Sequence, residues 1–233
     1  MTRGPPNRLP FPEGLDAACS ELLSASNRMA LDGRARVVVI HGVEGSGKSQ
    51  VVRWLAGFVA RQERSAFILA HHSVTPSISD GLGSALAEQL GAPSWESSDA
   101  LAAALIDRCV SLNICAADEA GDLAATIWPR AGHQHVPRLE RNTLHVRLLR
   151  KIAAERSVVL VLEDVQWSEA AVSLVVQLIQ AQSERSTPIL VVLTLRTDAE
   201  EPDEHEISRP PLTLEHVREL LRPVGGAAEL ALS

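Results

Sequence analysis

One octapeptide constrains this chain of 233 residues more than any other feature: Gly42-Val43-Glu44-Gly45-Ser46-Gly47-Lys48-Ser49. It fits the pattern G-x-x-x-x-G-K-[ST] at every fixed position. From average residue usage, a chance match in a chain this long arises on the order of one time in a hundred. The setting also fits. Residues 37–40 before it are wholly apolar and β-branched-rich, the mark of a strand buried on both faces. After it, Val51, Leu55, Phe58 and Val59 fall on one face of a helix. Glycines let successive N–H groups point into one concavity, and the following helix adds its N-terminal N–H groups and dipole. Such a turn holds phosphate. The candidate nucleotide-binding residues are therefore Gly42, Val43, Glu44, Gly45, Ser46, Gly47, Lys48, Ser49 and Gln50. Lys48 would reach the β- and γ-phosphates, and the Ser49 hydroxyl would ligate Mg²⁺. Lysine occurs otherwise only at Lys151, which makes the placement of Lys48 informative. His41 and Glu44 read as solvent-facing or locally hydrogen-bonded.

Residues 1–11 read as a mobile arm, and 15–30 as a helix that Asp32-Gly33 breaks. A second strand is expected over 66–70, with helices over 78–90 and 100–112. Residues 113–138 contain Gly121, Trp128-Pro129, Gly132 and Pro137, and read as a loop or irregular insertion. A helix over 139–156 leads into residues 158–162, five uninterrupted apolar residues and the strongest strand signal. A helix over 169–182 and a buried strand over 189–195 follow. Residues 198–206 are acidic and read as a solvated loop, with Ile207 in a short last strand. Thr213 reads as the N-cap of a helix bearing Val217, Leu220 and Leu221, which Gly225-Gly226 ends. Apolar strands alternating with helices predict an α/β fold with a parallel sheet.

A phosphate loop alone hydrolyses nothing, because Mg²⁺ needs a carboxylate and an attacking water needs orienting. Glu163 and Asp164 end the strand over 158–162, where open α/β sheets place their sites. One acid can serve the metal and the other can polarise water.

The run Val-Leu-Val-Leu-Glu-Asp-Val-Gln-Trp-Ser-Glu-Ala-Ala from Val159 resembles the Walker B region of bacterial AAA ATPases of the origin-recognition-like type, close to the STAND signalling NTPases. Glu163, Asp164 and Trp167 match that pattern. Gln166 stands where His is usual, Ser168-Glu169 where Ala-Asp is usual, and Glu163 where the first acid is usually Asp. Leu193-Thr194-Leu195-Arg196 resembles the end of the family's sensor strand, and Pro210-Pro211-Leu212 the approach to its lid. The resemblance spans about residues 35–221 and is weak from 70 to 137. It implies a P-loop NTPase three-layer sandwich around a central parallel sheet, with the sensor strand between the phosphate-loop and Walker B strands. The chain divides into an N-terminal arm and helix (1–34), the core (35–208) and the start of a C-terminal lid segment (209–233). The implied roles are Glu163 with Ser49 on Mg²⁺, Asp164 on the water and Arg196 on the γ-phosphate. The other reading of Arg196 is an ordinary pair with Asp198 or a nearby glutamate. The function implied is Mg-ATP binding with slow hydrolysis, used as a conformational switch. The alternative is a nucleotide-binding regulatory scaffold that hydrolyses nothing. A small-molecule kinase is disfavoured for want of an arginine-rich substrate lid. Without an Asn-Lys-x-Asp element, ATP is favoured over GTP. Either self-association or a partner chain would supply the lid and effector modules.

Composition sets the remaining bounds. At 45% hydrophobic and 22% charged, the chain is globular and not disordered. Cys19, Cys109 and Cys115 are an odd, scattered set without ligand spacing. No apolar run reaches the ~20 residues of a membrane span, and no signal peptide is visible. These features imply a cytoplasmic protein. A net charge of −7 disfavours a nucleic-acid surface, so Arg130, Arg138, Arg141, Arg147, Arg150 and Arg156 read as a solvated helix face. His71-His72 and His133-x-His135 lack partners at convincing ligand spacing, so no metal beyond Mg²⁺ is expected.

Overall fold

Five strands form one all-parallel sheet in the order β2-β3-β4-β1-β5. They are β1 (Arg36–Gly42), β2 (Ser65–His71), β3 (Ser157–Glu163), β4 (Ile189–Arg196) and β5 (Ala228–Leu232). The computed structural model describes residues 10–62, 65–75, 81–91, 98–111, 117–127, 137–182, 187–199 and 210–232. The three inner strands are buried along almost their whole length, as residues covered on both faces must be. Helices α1 (Asp16–Asp32) and α2 (Lys48–Ala60) cover one face, packing Leu22, Met29 and Leu55 on Ile40, Val159 and Val192. Helices α3 (Gly81–Gln89), α4 (Ser98–Ser111), α5 (Ala117–Ile127), α6 (Arg138–Glu155), α7 (Glu169–Ala181) and α8 (Leu214–Leu221) lie on the other, packed on Val158, Leu160, Val191 and Leu193. The three-layer sandwich expected from sequence is the fold, and β4 does lie between β1 and β3.

Two expectations need correction. Residues 117–127, read as loop, form α5. Its buried Ala120, Leu123, Ala124 and Ile127 follow helical spacing, but alanines give little hydrophobic contrast, and Gly121 lowers intrinsic helicity by ~1 kcal/mol relative to Ala. Packing on α4, α3 and α6 outweighs that deficit. The second correction concerns 209–233, expected to open a lid. There α8 packs on α7, and β5 pairs in parallel with β1. Both complete the core. As an edge strand β5 is largely exposed, so it lacks the apolar run that marks the inner strands. Most of the arm expected over residues 1–11, the strand at Ile207, most of the acidic loop and His133-x-His135 lie outside the described residues, while Phe11 is described and its ring lies 5.4 Å from that of Trp54.

Candidate functional site

Sheet register assembles the site. Gly42 pairs with Arg196 across β1 and β4, and with Leu232 across β1 and β5. Leu162 pairs with Leu193, and Glu163 with His71. The phosphate loop, the paired acids and Arg196 therefore share the carboxyl edge of the sheet, the usual place for ligands in such folds.

The loop bridges β1 and α2. Gly47, at the N-cap of α2, has φ 93°, a conformation that favours glycine, and a Cβ there would press on Leu15. A Cβ on Gly42 would run into the Leu232 carbonyl oxygen, so this glycine admits β5 beside the loop. Lys48 is buried and turned back onto the loop. Its Nζ donates to the carbonyls of Gly42 (2.9 Å) and Val43 (2.6 Å) and to Ser46 Oγ (3.3 Å). Burial lowers its pKa from the usual lysine value, and the nearby Asp164 and Asp198 oppose that shift.

Arg196 sits against this loop. Its Nη2 donates to Glu44 Oε2 at 2.7 Å, and its Nε lies 3.6 Å from Asp198 Oδ1. The ordinary ion pair considered from sequence is thus present, and one of its acids belongs to the phosphate loop. Glu44 is correspondingly bonded at both ends, because its backbone N–H donates to the Asp198 carboxylate at 3.0 and 3.1 Å. That bond is the foremost reason the Asp198 carboxyl is held below its usual value. Sequence placed Asp198 in a solvated loop, and nothing in its neighbours identifies a partner 154 residues away.

Glu163 is buried at the end of β3, and His71 Nδ1 lies 2.8 Å from its Oε2. Desolvation raises its pKa, the His71 ring opposes the shift, and the adjacent Asp164 charge adds to it. Asp164 adopts φ 55°, ψ 46°, the sole positive-φ non-glycine among the described residues. Its N–H donates to Thr194 Oγ1 at 3.0 Å, joining the acid pair to β4.

Gln166, noted from sequence only as a departure from the usual His, is the junction of the site. It is 1% exposed. Its Nε2 donates to Asp164 Oδ1 (3.3 Å), its Oε1 accepts the Arg196 N–H (3.1 Å), and its carbonyl accepts the Leu212 N–H (2.8 Å). One side chain and its backbone thereby connect an acid, the sensor strand and the lead into α8.

Two neighbouring carboxylates, one of them desolvated by burial, form a place where a hard cation would relieve repulsion. Among the described residues no group of three or more His, Cys, Asp or Glu could cage a metal unaided. This donor set suits Mg²⁺ held partly by phosphate oxygens and water.

Residues 14–192 match the family described as the AAA ATPase domain. Searching curated proteins finds no match. Among solved structures, the chain is similar to one in the HORMA:CdnC:Trip13 complex of E. coli MS115-1, at 15% identity and TM-score 0.47, covering 94% of this chain and 62% of that one. It is also similar to the Aeropyrum pernix ORC2 protein in its ADP form (14% identity, TM-score 0.49, 98% and 49% covered). Cdc6p from Pyrobaculum aerophilum gives 16% identity, TM-score 0.47, with 97% and 48% covered. The chain spans about half to three-fifths of the length of these structures. No helix among the described residues is long and apolar enough to cross a membrane. With the family match over most of its length, this chain belongs to the AAA ATPase domain family.

Proposed function

We propose that the protein binds Mg-ATP through residues 42–49, hydrolyses it slowly and uses the difference between ATP and ADP states as a conformational switch. The observation that carries this reading is the alignment of the phosphate loop, Glu163-Asp164 and Arg196 along one sheet edge. Lys48 exchanges its three loop contacts for the β- and γ-phosphates. Ser49 and Glu163 hold Mg²⁺, Glu163 through the metal's water shell. Asp164 orients the attacking water, kept in place by Gln166. Arg196 moves from Glu44 to the γ-phosphate, where a guanidinium can bond phosphate oxygens bidentately. The spelling of residues 159–171 supports an origin-recognition-like or STAND-like subtype, with self-association or a partner chain completing the working assembly.

A second reading, a scaffold that holds nucleotide without turnover, has its own support. Glu163 is engaged by His71, and Arg196 by Glu44 and Asp198. Multiple-turnover ATPase measurement separates the two. Switch function requires phosphate release that is abolished in Lys48→Ala. Release indistinguishable between that variant and wild type would reject it.

A further inference from the structure

The carboxylate of Asp198 is bound to the phosphate loop as an anion. The Glu44 N–H donates to both of its oxygens, at 3.1 and 3.0 Å. Its Oδ1 lies 3.6 Å from Arg196 Nε. It is also close enough to Lys48 for its charge to act on the ammonium. These three groups are a main-chain donor of the loop, the guanidinium assigned to the γ-phosphate and the loop lysine. A terminal phosphate draws on the same three kinds of group. The Glu44 N–H is the foremost cause that keeps the Asp198 carboxyl below its usual range, so it is charged at pH 7.

Main-chain pairing places this carboxylate. Beyond the pairing of Gly42 with Arg196, the Thr197 N–H donates to the Gly42 carbonyl at 3.2 Å. Residue 198 is thereby delivered to the first half of the loop. Glu44 returns the contact, since its Oε2 accepts from Arg196 Nη2 at 2.7 Å. Arg196 is thus held between two acids, one on the loop after β1 and one just past β4. The place matters. Gly47, Lys48 and Ser49 open α2, and a helix N-terminus suits the β-phosphate. Glu44 lies earlier in the loop, beside Arg196. A diphosphate at the helix N-terminus leaves the contact between Glu44 and Asp198 in place. A third phosphate beside Arg196 sets its charge against the Asp198 carboxylate.

We propose that Asp198 sets the loop's choice between diphosphate and triphosphate, because its carboxylate stands in the place of the γ-phosphate and leaves only when ATP binds. This rests on residues 42–49 being the Mg-ATP site. Without nucleotide, and with ADP, the latch is closed and Arg196 stays on Glu44 and Asp198. ATP opens it and releases Arg196 to the phosphate. The apparent ATP affinity is then the intrinsic one reduced by the fraction of molecules whose latch is open. A latch closed about nine-tenths of the time weakens ATP binding about tenfold and leaves ADP binding alone.

Calorimetry of the full chain with Mg-ADP and Mg-ATP tests this on wild type, Asp198→Asn and Asp198→Ala. Asp198→Asn keeps the shape and an acceptor for the Glu44 N–H but loses the charge. The bond lies at the exposed surface, so neither variant buries an unpaired donor, and melting temperature is retained. Expected is ATP binding about tenfold tighter in both variants, with ADP binding unchanged within about twofold. Saturable binding in which neither variant alters either affinity overturns the proposal and leaves the phosphate-loop reading standing. So does weaker ATP binding in the variants, the result if the carboxylate served the metal. An equal gain for ADP and ATP also overturns it, since Asp198 would then repel any nucleotide alike. Binding of neither nucleotide, in wild type or variants, removes the phosphate-loop reading and this proposal together.

Discussion

Asp164 holds a backbone conformation that most residues avoid, at φ 55° and ψ 46°. Left-handed geometry costs an ordinary L-residue about 1–2 kcal/mol, and Asp and Asn tolerate it best. The turn redirects the chain from β3 into the Val165–Trp167 turn, while Thr194 and Gln166 hold the Asp164 N–H and carboxylate. Asp164→Asn should therefore keep the fold and the ATP affinity but slow turnover by about 10²-fold, since the amide cannot take a proton from water. Wild-type turnover in that variant would reject the assignment of Asp164 to the water. Asp164→Ala should also lose stability, by about 1 kcal/mol relative to Asp164→Asn, read from denaturant midpoints. Equal midpoints would mean that the turn imposes no such requirement.

Between elements, the chain of contacts runs from β4 through Gln166 to α8. Arg196 N–H and Leu212 N–H both end on Gln166, and Thr213 caps α8 by accepting the His216 N–H. Val217 and Leu221 of α8 are buried against the core. On the proposed mechanism, a displacement of Arg196 toward phosphate would have these short, hydrogen-bonded connections to act through. A switch nevertheless requires different affinities in its two states. Arg196→Ala should narrow the gap between ATP and ADP affinity and flatten the nucleotide-dependent change in hydrogen exchange across Leu214–Leu221. An unchanged gap, with unchanged exchange, would remove Arg196 from the mechanism. The elements legible in the sequence were those whose signal is local. Residues 158–162 and 189–195 are apolar throughout because both faces are covered, and Gly42–Ser49 has fixed chemistry at fixed spacing. β5 was illegible because its pairing with β1 is made by backbone groups while its side chains stay half-exposed. Glu44–Asp198, Glu163–His71 and Arg196–Gln166 were illegible for a related reason: each joins residues far apart in sequence that only the parallel register brings together.

On the scale of the whole molecule, stability should respond to acid through His145. Its folded pKa is about 4 against an ordinary value of 6.5, chiefly by burial, with Arg141 adding to the shift. The unfolded chain then binds more protons between those values, so the stability held above pH 6.5 is lost as pH falls toward 4. At pH 5 that loss is about 2 kcal/mol from this group alone. His145→Leu should remove this part of the slope in urea titrations at pH 7 and pH 5. An undiminished slope would show that the ring is not held neutral. The nucleotide switch proposed for this molecule depends on the loop at the end of β1 accepting a triphosphate. The most direct test is calorimetry of Mg-ATP binding to wild type and Lys48→Ala. The account predicts saturable binding by the wild type and at least tenfold weaker binding by the variant, about 1.4 kcal/mol. The same affinity in both proteins would contradict it.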